Sequence, residues 1–296
     1  MKLTFLGTGT STGVPELGCK CEVCTSGDPR DARLRCSALL QSGDTFILID
    51  CGPDFRAQML SAGVSHLDAL LITHKHYDHT AGIDDLRPYA SLRAFPIYAD
   101  DDSARQIRSM FPYCFGEVKY PGVPNIELHS IEDMQPFSVG GVDVEPIRVY
   151  HAALPIVGYR FGKLAYITDM SRIEPAELEK LRGVEVLVIN ALRYSKPHRS
   201  HQTVLEALRV VDYLAPRETY FTHMMHHIGL HAKIEKCLPK NVFLAYDGLE
   251  IEVGKSTTIV KNTNIRNGST PILNSNIEVN LIGIPNFFVG IFTSCC

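Results

Sequence analysis

The run Thr73-His74-Lys75-His76-Tyr77-Asp78-His79 places three imidazoles and a carboxylate within six residues. Buried together without a counter-ion, such a set would be costly, and in charged form it would repel itself. A bound divalent cation turns that crowding into coordination, and imidazole nitrogen with carboxylate oxygen suits zinc, manganese or iron. The run follows Leu67-Asp68-Ala69-Leu70-Leu71-Ile72, an apolar segment that reads as a buried strand. The donors therefore stand where a strand gives way to a loop, on a rigid support. An exposed His-rich loop is the bland alternative, and three further donors weigh against it. His151 follows the segment Val142 to Tyr150, Asp169 follows Leu164 to Thr168, and His223 follows Thr219 to Thr222. Each stands directly after an apolar strand, in the same phase as His74.

The chain has 296 residues, 45% of them apolar and 21% charged, with a formal net charge of −4. That is enough for a sizeable core, and the charge balance advertises no broad basic surface for nucleic acid. The N-terminus, Met1 to Gly7, is too short and too weakly basic for a signal peptide, and no apolar run approaches the ~18 residues of a membrane helix. A cytoplasmic protein with no membrane association is the default, and a homodimer is compatible with the sequence.

Three of the nine cysteines cluster as Cys19-x-Cys21-x-x-Cys24. In a reducing compartment this points to metal rather than to disulfides. Three thiolates need a fourth donor. His226 lies three residues after His223, and a turn there would face the two rings in opposite directions; His227 competes for the place. Cys3His is a closed tetrahedral zinc set.

The rest of the chain reads as strands and helices in two batches. Strands are expected at 2–6, 37–41, 45–50, 67–72 and 95–98, with a helix at 55–62 ended by Gly63, partial helix over 86–92, and a helix capped by Ser103 that runs to Met110. The second batch has strands at 126–131, 142–149, 156–161, 164–168, 184–190, 218–222, 242–246 and 249–253, with helices at 175–182 and 202–214. This rhythm predicts two mixed sheets packed face to face with helices outside and the site along one edge. The domain reads as complete over 1–254. Residues 255–296 form an atypical tail, with seven Asn and two charged residues from 262 onward.

At this point the chain resembles the metallo-β-lactamase superfamily, in the signature His74-x-His76-x-Asp78-His79, the strand-end Asp50 of Leu48-Ile49-Asp50-Cys51-Gly52, and His151, Asp169 and His223 in the right order. The resemblance covers about residues 1–253. It implies an α/β (α+β) fold, the four-layer αββα sandwich. It also implies that His74, His76 and His151 hold one metal and Asp78, His79 and His223 a second, with Asp169 bridging and Asp50 orienting the ligand loop from behind. Two zinc or manganese ions so held would activate a water, and Asp78 could also orient the nucleophile. His201, in Ser200-His201-Gln202-Thr203 ahead of the helix at 202–214, resembles the His-x-Thr element of the superfamily's phosphodiesterases. It would bind a phosphate oxygen or serve as general acid, with His198 as its competitor; a solvated loop histidine is the plain alternative. His66, His129, His227 and His231 read as structural or solvated.

The Gly7-Thr8-Gly9-Thr10 to Val14-Pro15 loop, the cysteines and His226 together look like the phosphoribosyl cyclic phosphate phosphodiesterases of phosphonate breakdown, which pair a dinuclear site with a structural zinc. That implies a small cyclic phosphodiester as substrate. The protein that accompanies pyrroloquinoline quinone synthesis has a similar cysteine cluster. Rival readings are a tRNA 3′-end nuclease, a thioester hydrolase of the same fold, and a non-catalytic metal-binding protein. The nuclease commonly carries a long arm between the positions of His151 and Asp169, which are only 18 residues apart here. The intact donor set speaks against a silent protein.

Overall fold

The computed structural model describes residues 1–91, 93–116 and 121–254; the expected tail at 255–296 lies outside them. Strands β1 (Lys2–Gly7), β2 (Ser37–Ser42), β3 (Thr45–Ile49), β4 (Ala69–Leu71), β5 (Phe95–Ala99) and β6 (Ile126–Ser130) form one sheet with β15 (Glu250–Glu252), in the order β15-β1-β2-β3-β4-β5-β6. Strands β7 (Phe137–Val139), β8 (Val142–His151), β9 (Leu154–Phe161), β10 (Leu164–Ile167), β11 (Arg172–Ile173), β12 (Val186–Asn190), β13 (Glu218–Thr222) and β14 (Val242–Leu244) form the other, in the order β11-β8-β9-β10-β12-β13-β14 with β7 on β8. Each sheet joins antiparallel strands to a parallel set, β3-β4-β5-β6 in one and β10-β12-β13-β14 in the other.

Period-two alternation sorts the core into three layers. Ile47 and Ile49 of β3 and Val186 and Val188 of β12 point between the sheets, where they meet Phe5, Tyr159 and Tyr166. Leu48 of β3 packs outward with Phe55 of α1 (Phe55–Ala62), Leu70, Ile97 and Ile107. Leu187 and Ile189 of β12 pack outward on the other side with Val204 and Val211. The result is the αββα sandwich, with strand ends from both sheets converging along one edge.

Several expected boundaries shift for physical reasons. The strand at 67–72 narrows to β4, because Asp68 turns its carboxylate onto the Phe46 N–H at 2.8 Å. The loop expected after that strand is in part helical. Tyr77–Thr80 forms a helical turn, α2, that carries Asp78 and His79. The partial helix at 86–92 is replaced by a 3-10 turn at Ile83–Leu86, and Pro88 stops helix beyond it; Leu92 lies outside the described residues. Helix α3 (Asp101–Met110) begins earlier than Ser103, because Asp100 is the cap and accepts from the Ser103 N–H. Helix α4 (Pro175–Glu179) is shorter than 175–182. Helix α5 (Val204–Leu214) starts after residue 202, at a capping box in which Thr203 and Glu206 satisfy each other's backbone N–H. The two-residue β11 and the short β7 were not anticipated.

Candidate metal centres

Asp50 closes β3 with a left-handed backbone (φ 61°), Asp169 stands two residues after the end of β10 (φ 57°), and His223 follows β13 (φ 54°). Non-glycine residues pay about 1–3 kcal/mol for such backbone, which persists where the surroundings demand it. Here the same sharp turn three times over aims a side chain back across the edge of the sandwich. Two glycines allow the close approach that α2 needs. A Cβ on Gly52 would stand 2.0 Å from the Asp78 carbonyl oxygen, and one on Gly82 would stand 2.2 Å from the Gly52 carbonyl oxygen.

These turns gather the dispersed donors into one buried cluster. The ring of His74 lies 4.5 Å from His76, 4.2 Å from His79 and 5.6 Å from His151, centroid to centroid, and His76 lies 5.0 Å from His151. His79 Nε2 is 3.2 Å from Asp78 and 3.4 Å from Asp169, while His223 Nε2 is 3.0 Å from Asp169 and 3.6 Å from Asp78. The strand-borne His151 donates Nδ1–H to the Asp169 carbonyl at 2.9 Å, which leaves its Nε2 free. His201 reaches the same cluster, with its Nδ1 3.7 Å from Asp169 Oδ1 and its ring 4.5 Å from His151. It stands three residues ahead of α5 rather than on its first turn, and Thr203 and Glu206 already occupy that helix's N-terminus. His198 sits farther out, exposed, 5.2 Å from the His201 ring.

Behind the donors lies a layer of orienting groups. Asp50 is fully buried and accepts from the Thr73 N–H (2.8 Å), the Thr73 hydroxyl (2.8 Å) and His79 Nδ1 (2.7 Å). With the Thr73 hydroxyl proton spent on Asp50, His74 Nδ1 must donate to Thr73 Oγ1 at 3.0 Å, and His74 Nε2 turns its lone pair to the cluster. Thr73 was not singled out from the sequence. A signal for it exists: a threonine precedes His74, Asp169 and His223 alike, and all three threonines are buried.

The electrostatics identify what the cluster lacks. Burial favours neutral Asp78 and Asp169, yet the neighbouring imidazoles outweigh it and hold both carboxyls below the usual range. Burial likewise opposes charging His223, but Asp169 pulls its imidazole up to about 10. Burial drives His74 well down, and burial with His223 nearby drives His201 to about 3. Protons thus stand in for a cation among these donors. His79 Nε2 and His223 Nε2 are buried without a hydrogen-bond partner, although both point at carboxylates. Orphaned nitrogens beside ionised carboxylates fit a metal site.

A second cluster joins Cys19, Cys21, Cys24 and His226. His226 Nδ1 lies 3.2, 3.3 and 3.4 Å from the three sulfurs. Zinc bonds of about 2.3 Å to sulfur and 2.0 Å to nitrogen give tetrahedral edges of about 3.5 Å, so the spacing fits. The backbone N–H of Cys24 lowers the Cys21 thiol to about 6, while burial raises that of Cys24 to about 11, so these two sulfurs do not ionise together without a cation. On its far side, His226 Nε2 meets Glu16 Oε2 at 3.2 Å, a partner the sequence did not suggest. His227 is exposed and stacks against His226 from outside the cluster.

Comparison with known proteins places this architecture. The model of the β-lactamase superfamily domain matches residues 45–224. The chain belongs to that superfamily. Among its relatives, a Porphyromonas gingivalis protein named octanoyltransferase is 42% identical over 88% of this chain, which spans only 54% of that protein. A Methylobacterium coenzyme PQQ synthesis protein B is 25% identical, over 66% of this chain and 74% of its own length. A crystal structure of a diphosphatase from the PhnP family superposes with a TM-score of 0.79 and 39% identity, over 84% of this chain and 96% of that one. No helix among the described residues is long and apolar enough to cross a membrane.

Proposed function

We propose that this superfamily member is a metal-dependent hydrolase of small phosphate esters, with a cyclic, sugar-linked phosphodiester as the preferred substrate class. The observation that carries the reading is the convergence of His74, His76, Asp78, His79, His151, Asp169 and His223, with the facing Nε2 atoms of His79 and His223 left unpaired. His74, His76 and His151 would hold one divalent cation and Asp78, His79 and His223 another, with Asp169 between them. Zinc or manganese ions held there supply a water of lowered pKa and neutralise charge developing on phosphoryl oxygens.

The chain's own residues do the rest. Asp50 and Thr73 fix the rings of His79 and His74. Asp78 is held ionised by its imidazole neighbours and can accept a hydrogen bond from an incoming nucleophile. His201 is neutral at ordinary pH. Its single N–H therefore suits binding a phosphoryl oxygen better than delivering a proton. Cys19, Cys21, Cys24 and His226 would hold a structural zinc. No disulfide joins the described cysteines, which suits a reducing, cytoplasmic compartment.

Three kinds of relative bear on the choice of substrate. Proteins named ribonuclease Z are relatives at 26% and 28% identity, but the stretch between His151 and Asp169 here is filled by the β9–β10 hairpin. The diphosphatase relative makes a phosphoric anhydride the second reading. The name octanoyltransferase belongs to a longer protein, of which this chain spans only 54%, and no residue of this site calls for acyl transfer. The test is turnover of bis-p-nitrophenyl phosphate, cyclic sugar phosphates, diphosphates and precursor tRNA by protein of known metal content. Cyclic esters should lead. Full activity in Asp169→Ala, or a preference for tRNA, would sink the proposal.

A further inference from the structure

Cys36 immediately precedes β2 and is fully buried between the sheets. An ordinary core cysteine packs among apolar groups. This one meets three hydroxyls of the opposite sheet: Tyr166 at 3.2 Å, Thr222 at 3.3 Å and Thr168 at 3.6 Å. All three are themselves buried. Two of them adjoin members of the donor cluster, since Thr168 precedes Asp169 and Thr222 precedes His223.

Proton counting gives these contacts a direction. Thr168 has one hydroxyl hydrogen, and it is donated to Asp169 Oδ2 at 2.7 Å. Thr168 Oγ1 can then only accept from the thiol. The Cys36 S–H is thereby committed to Thr168, and the sulfur is left to accept from the hydroxyls of Tyr166 and Thr222. A continuous chain runs from those hydroxyls through Cys36 and Thr168 to the carboxylate of Asp169. Sulfur is needed for the span: 3.6 Å lies within reach of a thiol but beyond an O–H···O bond.

We propose that Cys36 is a positioning residue whose thiol, acting through Thr168, sets the orientation of the Asp169 carboxylate and so the metal affinity of the His/Asp cluster. The proposal rests on Asp169 being a metal ligand, and the two can be tested apart. The experiment is cobalt(II) titration of the full-length chain whose cysteine cluster is already filled with cobalt, so that the d–d bands gained on further titration report the His/Asp cluster and the sulfur-to-cobalt charge-transfer band of the cysteine cluster is the internal control. Asp169→Asn should abolish the first bands and spare the second; unchanged bands would remove the underlying reading. Cys36→Ala should weaken cobalt binding about tenfold, the scale set by lost outer partners of metal ligands. Thr168→Val should cost at least as much, and Thr168→Ser should stay close to wild type. The double variant Cys36→Ala/Thr168→Val should bind no worse than Thr168→Val alone, because both changes cut one chain. Additive losses, or wild-type cobalt affinity in Cys36→Ala, would overturn the proposal. A purely structural cysteine would lower the melting temperature of the metal-free protein and leave the cobalt affinity alone. Should Cys36→Ala not fold, Cys36→Ser, too short for the Thr168 contact, carries the same test.

Discussion

The two donor clusters meet at one turn, through His223 and His226, yet they are built in opposite ways. The His/Asp cluster draws its donors from the ends of strands in both sheets, and its members except His76, His151 and His201 are buried below a tenth of their surface. The rings of His79, His74 and His151 are locked from behind by Asp50, Thr73 and the Asp169 carbonyl. The cysteine cluster takes three donors from a single irregular loop, with all three cysteines partly exposed. The first is shaped by the fold before any ion arrives. The second, carried by one loop, would rely on a bound ion to keep its shape. The clusters are joined by paired backbone bonds, the Met224 N–H to the Thr8 carbonyl and the Thr10 N–H to the Met224 carbonyl. The difference therefore predicts separable failures: loss of chemistry at one, loss of local order at the other.

The largest effect is expected at the shared carboxylate. Asp169→Ala should lower phosphodiesterase turnover by more than about 100-fold, beyond what loss of an orienting partner costs. The metal bound by the cysteines should survive, as read by metal analysis after gel filtration. Loss of every metal at once would break the comparison. Next comes Cys21→Ser. It should release one zinc per chain and lower the stability by about 4 kcal/mol where free zinc stands 1,000-fold above its dissociation constant. Proteolysis within residues 8–35 should rise while cyclic ester turnover persists at saturating metal. Turnover that collapses with the loop intact would show the two clusters to be one unit.

The loop also has an anchor that needs no ion. Asp247 accepts from the Leu34 N–H at 2.6 Å and from the Thr8 hydroxyl at 2.8 Å. Burial raises its carboxyl from 3.8 to about 6, against the pull of those bonds and of Arg33. The folded chain thus holds this proton more tightly than the unfolded one. The associated stability is present in full below about pH 4 and lost as pH rises through about 6, by some 2–3 kcal/mol. Asp247→Asn does not titrate. Its stability relative to wild type should therefore climb between pH 4 and 7 and then level, in paired urea melts; zinc release is common to both proteins and cancels. A flat difference would remove Asp247 from the account of the loop.

Much of this was legible in the sequence, and the residues show why. The sheets announced themselves because β3, β10, β12 and β13 are apolar on both faces, so no alternative placement satisfies them. His151, Asp169 and His223 could be picked out because each stands just past, or at the tip of, such a strand. Less legible were features set by tertiary contact. Asp78 and His79 sit on a helical turn because Gly52 and Gly82 let backbone approach backbone, which no local propensity records. The cap of α3 moved to Asp100, whose carboxylate accepts from the N–H of Ser103 three residues on. Thr73, Cys36 and Glu16 act on side chains that are distant in sequence or oriented only by the fold. Of these, only the threonines left a trace, in the repeated Thr-ligand pair.

Glu16 supplies the smallest effect and the finest test of the contrast between the clusters. In the buried cluster the rings of His74, His79 and His151 have orienting partners sealed from solvent; in the cysteine cluster the one ring has Glu16, whose side chain is 39% exposed. An outer carboxylate on a ligating histidine is worth about 10–100-fold in metal affinity, and exposure places this one at the low end. Glu16→Gln should therefore lose zinc about tenfold more readily in competition with a chelator, with cobalt binding at the His/Asp donors unchanged. Glu16→Ala should lose no more, since the amide of the Gln variant already lacks the charge that draws the His226 proton to Nε2. If both variants compete like wild type, the three sulfurs alone hold the ring, and the exposed cluster owes its geometry to its ion with no help from the chain.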